Sequence, residues 1–340
     1  MTPGAGSLAP RLTTKRLPPA GWTQALGDDG VCALGGLAYG PEAANAAATG
    51  GRVLSPAGPM VDAWCSAGPL TQGRCGSVRW TRNGHWLYGT LDLDEAGEPL
   101  AALATRAYRD VFETLWQTGC GHLLRLWNYL PGINADAGGM ERYRQFNSGR
   151  QQAFLEAGRA AFEGAPAACA LGTRGGPLRV RFLAGRLAAT PVENPRQVSA
   201  YHYPSDYGPH SPTFSRAALF ANGPGQVALL ISGTSSIVGH ASVHAGDVQA
   251  QTRETLANLH AVIAAAQQRC TARFDLASAA CTVYVRRADD ALRIREVFDA
   301  AVGADSPAAR NAIVVEADIC RADLRVEIEA HVFAPGEVLA

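Results

Sequence analysis

The sequence predicts an α+β fold built from a repeated unit, and three observations carry that prediction. A continuous apolar run, Val227-Ala-Leu-Leu-Ile-Ser232, opens a series of strand, helical stripe, strand, helical stripe and closing strands. The same series occurs earlier, between Trp86 and Phe182. Both copies close on kindred segments, Leu178-Arg-Val-Arg-Phe182 and Leu324-Arg-Val-Glu-Ile328, which differ by placing Arg181 where the later copy has Glu327.

In the earlier copy, Trp86-Leu-Tyr-Gly-Thr-Leu91 is aromatic and apolar enough for a strand. Leu100, Leu103, Ala107, Val111 and Leu115 then form a stripe at helical spacing. Residues 123–127 predict the middle strand, 141–157 the second helix, and 168–171 with 179–182 the closing strands. In the later copy, Gly233 and Gly239 are expected to break the first strand, and a helix is expected over 248–268, with Leu256, Leu259 and Ile263 on one face. Cys281-Thr-Val-Tyr-Val285 suits a strand, Ile294, Val297, Phe298 and Ala301 a second amphipathic helix, and 312–315 with 324–333 the last two strands. Residues 1–77 are read as a shorter, degenerate copy, 78–195 as the central domain, and 196–340 as a loop followed by the C-terminal domain.

The 190–224 segment carries six prolines, which argues against a helix or a central strand. It also carries Tyr201, His202, Tyr203, Tyr207, His210 and Arg216, more aromatic character than a flexible linker has, so it is expected to line a site. Thirty basic and thirty acidic residues cancel, so nothing in the overall charge argues for nucleic acid or an anionic membrane as partner. The eight cysteines show no metal-ligand spacing, which suits free thiols in a reducing compartment. The first seven residues lack the charge and apolar run of a signal peptide, and no apolar stretch approaches the roughly 20 residues of a membrane helix. A cytoplasmic protein is expected.

Glu327 and Glu329 alternate with Val326 and Ile328, so the two carboxylates share one strand face while the apolar pair takes the other.

The later copy resembles the Rid (YjgF-type) enamine deaminases through Ile231-Ser-Gly233, Ala309-Arg310-Asn311 and Arg325-Val-Glu-Ile-Glu-Ala330. A longer series is more specific: Arg125-Leu-Trp-Asn-Tyr-Leu-Pro-Gly-Ile-Asn134, Glu141-Arg-Tyr-Arg-Gln-Phe-Asn-Ser-Gly-Arg150, Val192-Glu-Asn-Pro-Arg-Gln-Val198, Tyr201-His-Tyr-Pro204 and Tyr207-Gly-Pro209. It continues through Ser211-Pro-Thr-Phe-Ser-Arg-Ala217 and Ser232-Gly-Thr-Ser-Ser-Ile-Val-Gly-His240. This series is similar to the chorismatase family. The resemblance implies fused Rid-like (chorismate-mutase-like) domains with pseudo-threefold symmetry in a monomer. It also implies a site between the central and C-terminal domains, no cofactor or metal, and cleavage of chorismate with release of pyruvate.

Chorismate is a dianion with an enolpyruvyl ether, so its site needs guanidinium groups for carboxylates and an acid that is still protonated near neutral pH. The resemblance implies Arg142, Arg150 and Arg216 as carboxylate receptors, and Arg144 is expected to be solvated. Tyr203, Tyr207, Asn128, Gly233 and Thr234 are the further candidates for substrate contacts. It implies Glu327 as the acid that protonates the methylene carbon, with Glu329 as the weaker candidate and Cys320 as a thiol facing the intermediate. Glycine at 233 and cysteine at 320 resemble the aromatising members, which implies 3-hydroxybenzoate, alone or with 4-hydroxybenzoate. Arg310 matches the Rid substrate arginine but is left outside the set. The alternative readings are a Rid-type deaminase or a ligand-binding protein without catalysis. A chorismate mutase would need no acid at Glu327, and a metal-dependent oxygenase would need a ligand set that His202 and His210 do not provide.

Overall fold

Alternating apolar and polar positions along the strands, and helical stripes between them, let each unit bury one sheet face under its helices and turn the other inward. The computed structural model describes residues 9–25, 31–43 and 46–339, so the N-terminal heptapeptide read above lies outside the described residues.

In the central unit the spatial strand order is Thr71–Cys75, Val78–Arg82, Trp86–Leu93, Leu178–Gly185, His122–Pro131, Ala167–Thr173, with Asp318–Ile319 added at the edge. Helices Leu100–Thr118 and Arg142–Glu156 cover its outer face, with Leu103, Ala107, Val111 and Leu115 buried against Phe182 and Leu126. The C-terminal unit repeats this order: Thr190–Val192, Ala217–Ala221, Gln226–Ser235, Val326–Pro335, Ala280–Val285, Ile313–Glu316, with Arg52–Ser55 added at the edge. Its outer helices are Val248–Gln267 and Ala291–Val302, and Val326, Ile328 and Ala330 face their core. Each outer edge is thus closed by a strand from another part of the chain, which ties the units together and removes exposed backbone.

The N-terminal sheet, ordered Leu12–Leu17, Met60–Ala67, Val31–Tyr39, Ala46–Ala48, has the same pairing in reduced form. Its last two strands run parallel, as the equivalents do in the larger units. The short link from Tyr39 to Ala46 leaves no room for a second helix. Thr71–Cys75 belongs to the central sheet and Thr190–Val192 to the C-terminal one, so the sheets cross the sequence boundaries expected at 77 and 195.

The inward faces of all three sheets meet in one core that includes Trp64, Trp86, Trp127, Phe220 and Ile313. At its centre the middle strand of each unit contributes one tyrosine. The Tyr39 and Tyr129 hydroxyls lie 3.3 and 3.2 Å from that of Tyr284, which marks the pseudo-threefold axis. Tyr284 in turn donates to Glu329 at 2.9 Å, and Arg125 pairs with the same carboxylate.

Two expectations are corrected here. Gly233 does not end its strand: pairing with the Val326–Pro335 strand slips between Ile231 and Thr234 and then resumes, so Gly233 sits in an irregularity inside it. The proline-rich segment holds a buried strand, Ala217–Ala221, because none of its five residues is proline and each pairs with the Gln226–Ser235 strand.

Candidate active site

A cavity of about 470 Å³ opens between the central and C-terminal units. Its floor comes from the C-terminal sheet, where Gly233, Ser235 and Glu327 point inward from two neighbouring strands. The turn after Ile319 adds Cys320 and Arg321. The start of the Arg142–Glu156 helix adds Glu141, Tyr143 and Arg144, and the inter-unit segment adds Tyr203, Tyr207, Phe214 and Arg216.

Glu327 is the most constrained of these. It pairs in register with Ser235 on one side and Tyr284 on the other, and is only 3% exposed. Burial, reinforced by the charge of Glu329, pushes its carboxyl up to about 8, against the opposing pull of Arg125, Ser235 and Arg286. The group therefore stays protonated at neutral pH. Gly233 makes room for it, since a Cβ at that position would overlap the Glu327 carboxyl and press on Cys169. Burial, followed by the nearby Glu327, raises the Cys320 thiol to about 12, so it too is protonated and acts as a weak donor rather than a thiolate.

Two guanidinium groups complete the site. Arg216 donates through Nη2 to Val198 O and to the Tyr203 hydroxyl, both at 2.8 Å, while its Nε is buried without a partner among the described residues. Arg321 lies over the rings of Tyr207 and Tyr203, at 4.1 and 5.0 Å from their centroids. It donates through Nη1 to His240 O at 2.7 Å, and its buried Nη2 has no partner among the described residues. Neither arginine forms an ion pair among the described residues, although Glu193, whose carboxyl burial pushes up, is close enough to Arg216 for that charge to pull it back down.

The structure brings Glu327, Cys320, Tyr203, Tyr207, Arg216 and Gly233 to this cavity. Four other candidates lie elsewhere. Asn128 is buried in the central sheet, accepting from the Tyr108 hydroxyl at 2.6 Å and donating to Cys169 O at 2.8 Å. Arg142 pairs with Glu95 and donates to Pro131 O at 2.8 Å, so its charge is spent on holding the helix start. Arg150 is fully buried over the Phe146 ring, 5.1 Å from its centroid, and lies outside the cavity lining. Thr234 faces away from the cavity, by strand alternation between Gly233 and Ser235, and its hydroxyl donates to Ser232 O.

Two residues run the other way. Arg144 lines the rim, 3.4 Å from Glu141, and with its side chain 39% exposed it reaches the cavity while staying solvated. Arg321 was not singled out in the sequence, although its position next to Cys320 was the available signal. Arg310 lies at the end of a short helix, Pro307–Asn311, bound to Asp305 O and outside the cavity lining. His202 is exposed and His210 bonds Gln151 at 2.8 Å, so the two do not converge on a metal. No helix of the described residues is long and apolar enough to cross a membrane.

Fold and site together define an enzyme-type cleft: a neutral buried acid facing two arginines that form no ion pair among the described residues, set between units of a single-chain, pseudo-threefold α+β assembly. Comparison with known proteins gives the family. The model of the N-terminal part of FkbO/Hyg5-like chorismatases matches residues 62–184. A 3-hydroxybenzoate synthase of Streptomyces hygroscopicus is 36% identical over 290 residues, covering 82% of this chain and 83% of that protein. A chorismatase of Streptomyces rapamycinicus is 36% identical over 282 residues, covering 80% of this chain and 82% of that protein. A crystal structure of a chorismatase superimposes with a TM-score of 0.84 at 30% identity, covering 96% of this chain and 100% of that one. The chain belongs to the chorismatase family.

Proposed function

We propose that this protein is a chorismatase that cleaves chorismate to pyruvate and 3-hydroxybenzoate, with Glu327 as the proton donor. The observation that carries this reading is a carboxyl held protonated up to about pH 8 in a cavity where Arg216 and Arg321 each keep a buried N–H without a partner among the described residues. A dianionic substrate supplies the missing acceptors, and an enol ether needs the proton. Family membership supports the same activity.

The Glu327 carboxyl gives its proton to the terminal methylene carbon of the enolpyruvyl group, and the ether carbon becomes an oxocarbenium ion. Water adds to that carbon and releases a proton, which returns Glu327 to its acid form. Collapse of the adduct frees pyruvate. Loss of water from the ring gives the aromatic product, so the overall split consumes no net water. Arg216 and Arg321 hold the two carboxylates. Tyr203 and Tyr207 orient these arginines, through a hydrogen bond to Arg216 and ring contacts with Arg321. Cys320 donates its S–H toward the oxygen that bears the developing charge, and its size shapes the space beside the ring. One chain supplies both walls of the cleft, so activity requires no second copy.

The test is pyruvate release from chorismate, followed with a lactate dehydrogenase couple, while chromatography separates 3- from 4-hydroxybenzoate. Stoichiometric pyruvate with 3-hydroxybenzoate is expected. Formation of prephenate, or no turnover, overturns the reading.

A further inference from the structure

A second cleft, of about 540 Å³, lies between the N-terminal and central sheets at the position that pseudo-symmetry relates to the catalytic one. Its floor is the inner face of the central sheet, lined by Gln72, Arg74, Arg79, Thr81, Tyr88 and Thr90. The opposite wall is small and apolar, with Leu34, Ala43, Ala46 and Ala47.

The register on this floor is unusual. Arg74 stands directly across from Arg79, Arg79 across from Thr90, and Thr90 across from Arg181. Three arginines therefore share one cross-strand row on one face. Arg74 and Arg79 are both exposed, and like charges directly opposite each other on an antiparallel pair are destabilising, a repulsion that a bound anion relieves. Arg181 is accounted for by Asp92 at 2.7 Å and by Ala48 O and Leu91 O at 2.8 and 2.7 Å. Arg74 and Arg79 are not. Neither forms an ion pair among the described residues, and the one side-chain hydrogen bond of the two runs from Arg74 Nε to Gly76 O at 2.9 Å. Glu42 on the far rim is close enough to Arg179 to support that residue's charge. Deeper in the cleft the Tyr88 hydroxyl is buried with no partner among the described residues.

We propose that this cleft is a second ligand site, which holds a small organic carboxylate between Arg74 and Arg79 and does not turn it over. Paired guanidinium groups suit the two oxygens of a carboxylate, and the hydroxyls of Thr81 and Thr90 can bond polar substituents. The volume is similar to that of the catalytic cavity, about 470 Å³, so a ligand of the same size fits. Turnover is excluded there because the residue that aligns with Glu327 in sequence is Arg181, which has no proton to give at neutral pH.

The proposal stands independently of the catalytic reading, and titration calorimetry with 3-hydroxybenzoate as the probe tests it. Wild type is expected to bind two molecules per chain. The Arg74→Ala/Arg79→Ala variant keeps one, with affinity for the other reduced at least about tenfold, and Arg321→Ala loses the opposite one. The double variant should also melt no lower than wild type without ligand, since it removes a like-charge pair, and should lose part of the rise in Tm that 3-hydroxybenzoate gives wild type. A single wild-type site abolished by Arg321→Ala and indifferent to the double variant overturns the proposal. So does inorganic phosphate displacing the second molecule at equal affinity. If chorismate is not turned over but the Arg74/Arg79-dependent site persists, only the catalytic reading fails.

Discussion

Glu327 and Arg181 align in kindred segments of corresponding strands, though their middle-strand partners differ, Tyr284 for one and Trp127 for the other, and one opens into a cavity as a neutral acid while the other is a tied cation. Each pairs with a hydroxyl residue on the neighbouring strand, Ser235 for Glu327 and Thr90 for Arg181. Arg181 is fully buried, and Asp92 and three carbonyls take its charge. Among the described residues no cation pairs with Glu327 directly; Arg125 is committed to Glu329 instead. The scaffold thus tolerates either charge, and the chemistry depends on whether a partner is supplied. A paired charge is structural. An unpaired carboxyl in a low dielectric keeps its proton and becomes an acid.

The sharpest way to break the comparison is Glu327→Gln, which keeps shape and removes the proton; we expect pyruvate release to fall by about a thousandfold or more, the range for loss of a general acid together with its charge change. Next in size are the receptors. Arg216→Ala and Arg321→Ala should each raise KM by about 10- to 100-fold, from about 1.5–3 kcal/mol per charge-assisted hydrogen bond, while Arg142→Ala should leave KM unchanged and lower Tm, because its partner is Glu95. On the structural side, Arg181→Leu leaves the Ala48 and Leu91 carbonyls without their donor while Asp92 stays solvated, and should cost about 1–3 kcal/mol in urea unfolding, leaving kcat near wild type.

A subtler difference appears in stability against pH. Folded Glu327 keeps its proton up to about 8, whereas the unfolded chain releases it near the ordinary glutamate value of about 4.3. The native state therefore loses stability from Glu327 as pH climbs through that window. Glu327→Gln has no such loss, so its Tm advantage over wild type should grow from pH 5 to pH 8. If the advantage is constant, the buried carboxyl is not the titrating group. The smallest expected effect is at Cys320, where Cys320→Ala should shift the ratio of 3- to 4-hydroxybenzoate with little loss of total pyruvate; an unchanged ratio removes the thiol from product control.

Much of this contrast is visible in the sequence, because it is local. The strand alternation around Glu327, the two helical stripes per unit and the exchanged charge at 181 and 327 all follow from residues within a few positions of one another. Residues whose role depends on distant partners are not visible in that way. Arg142 and Arg321 look alike as exposed-type cations in the sequence, but Glu95 neutralises the first, while the second stacks on Tyr207 and Tyr203 more than a hundred positions away. Asn128 and Thr234 were misplaced for a simpler reason: each neighbours residues on the inward face, and strand alternation turns it to the other side. The strand exchanges at the sheet edges, with Arg52–Ser55 on one and Asp318–Ile319 on the other, leave no local mark at all.

The central claim is that the protonated form of Glu327 performs the reaction, and the single-turnover rate of chorismate cleavage as a function of pH tests it most directly. The account predicts a rate that is level from about pH 6 and falls through an apparent pKa near 8, the value to which burial and Glu329 raise this carboxyl. A rate that stays level or rises across that range in the wild-type protein would contradict it.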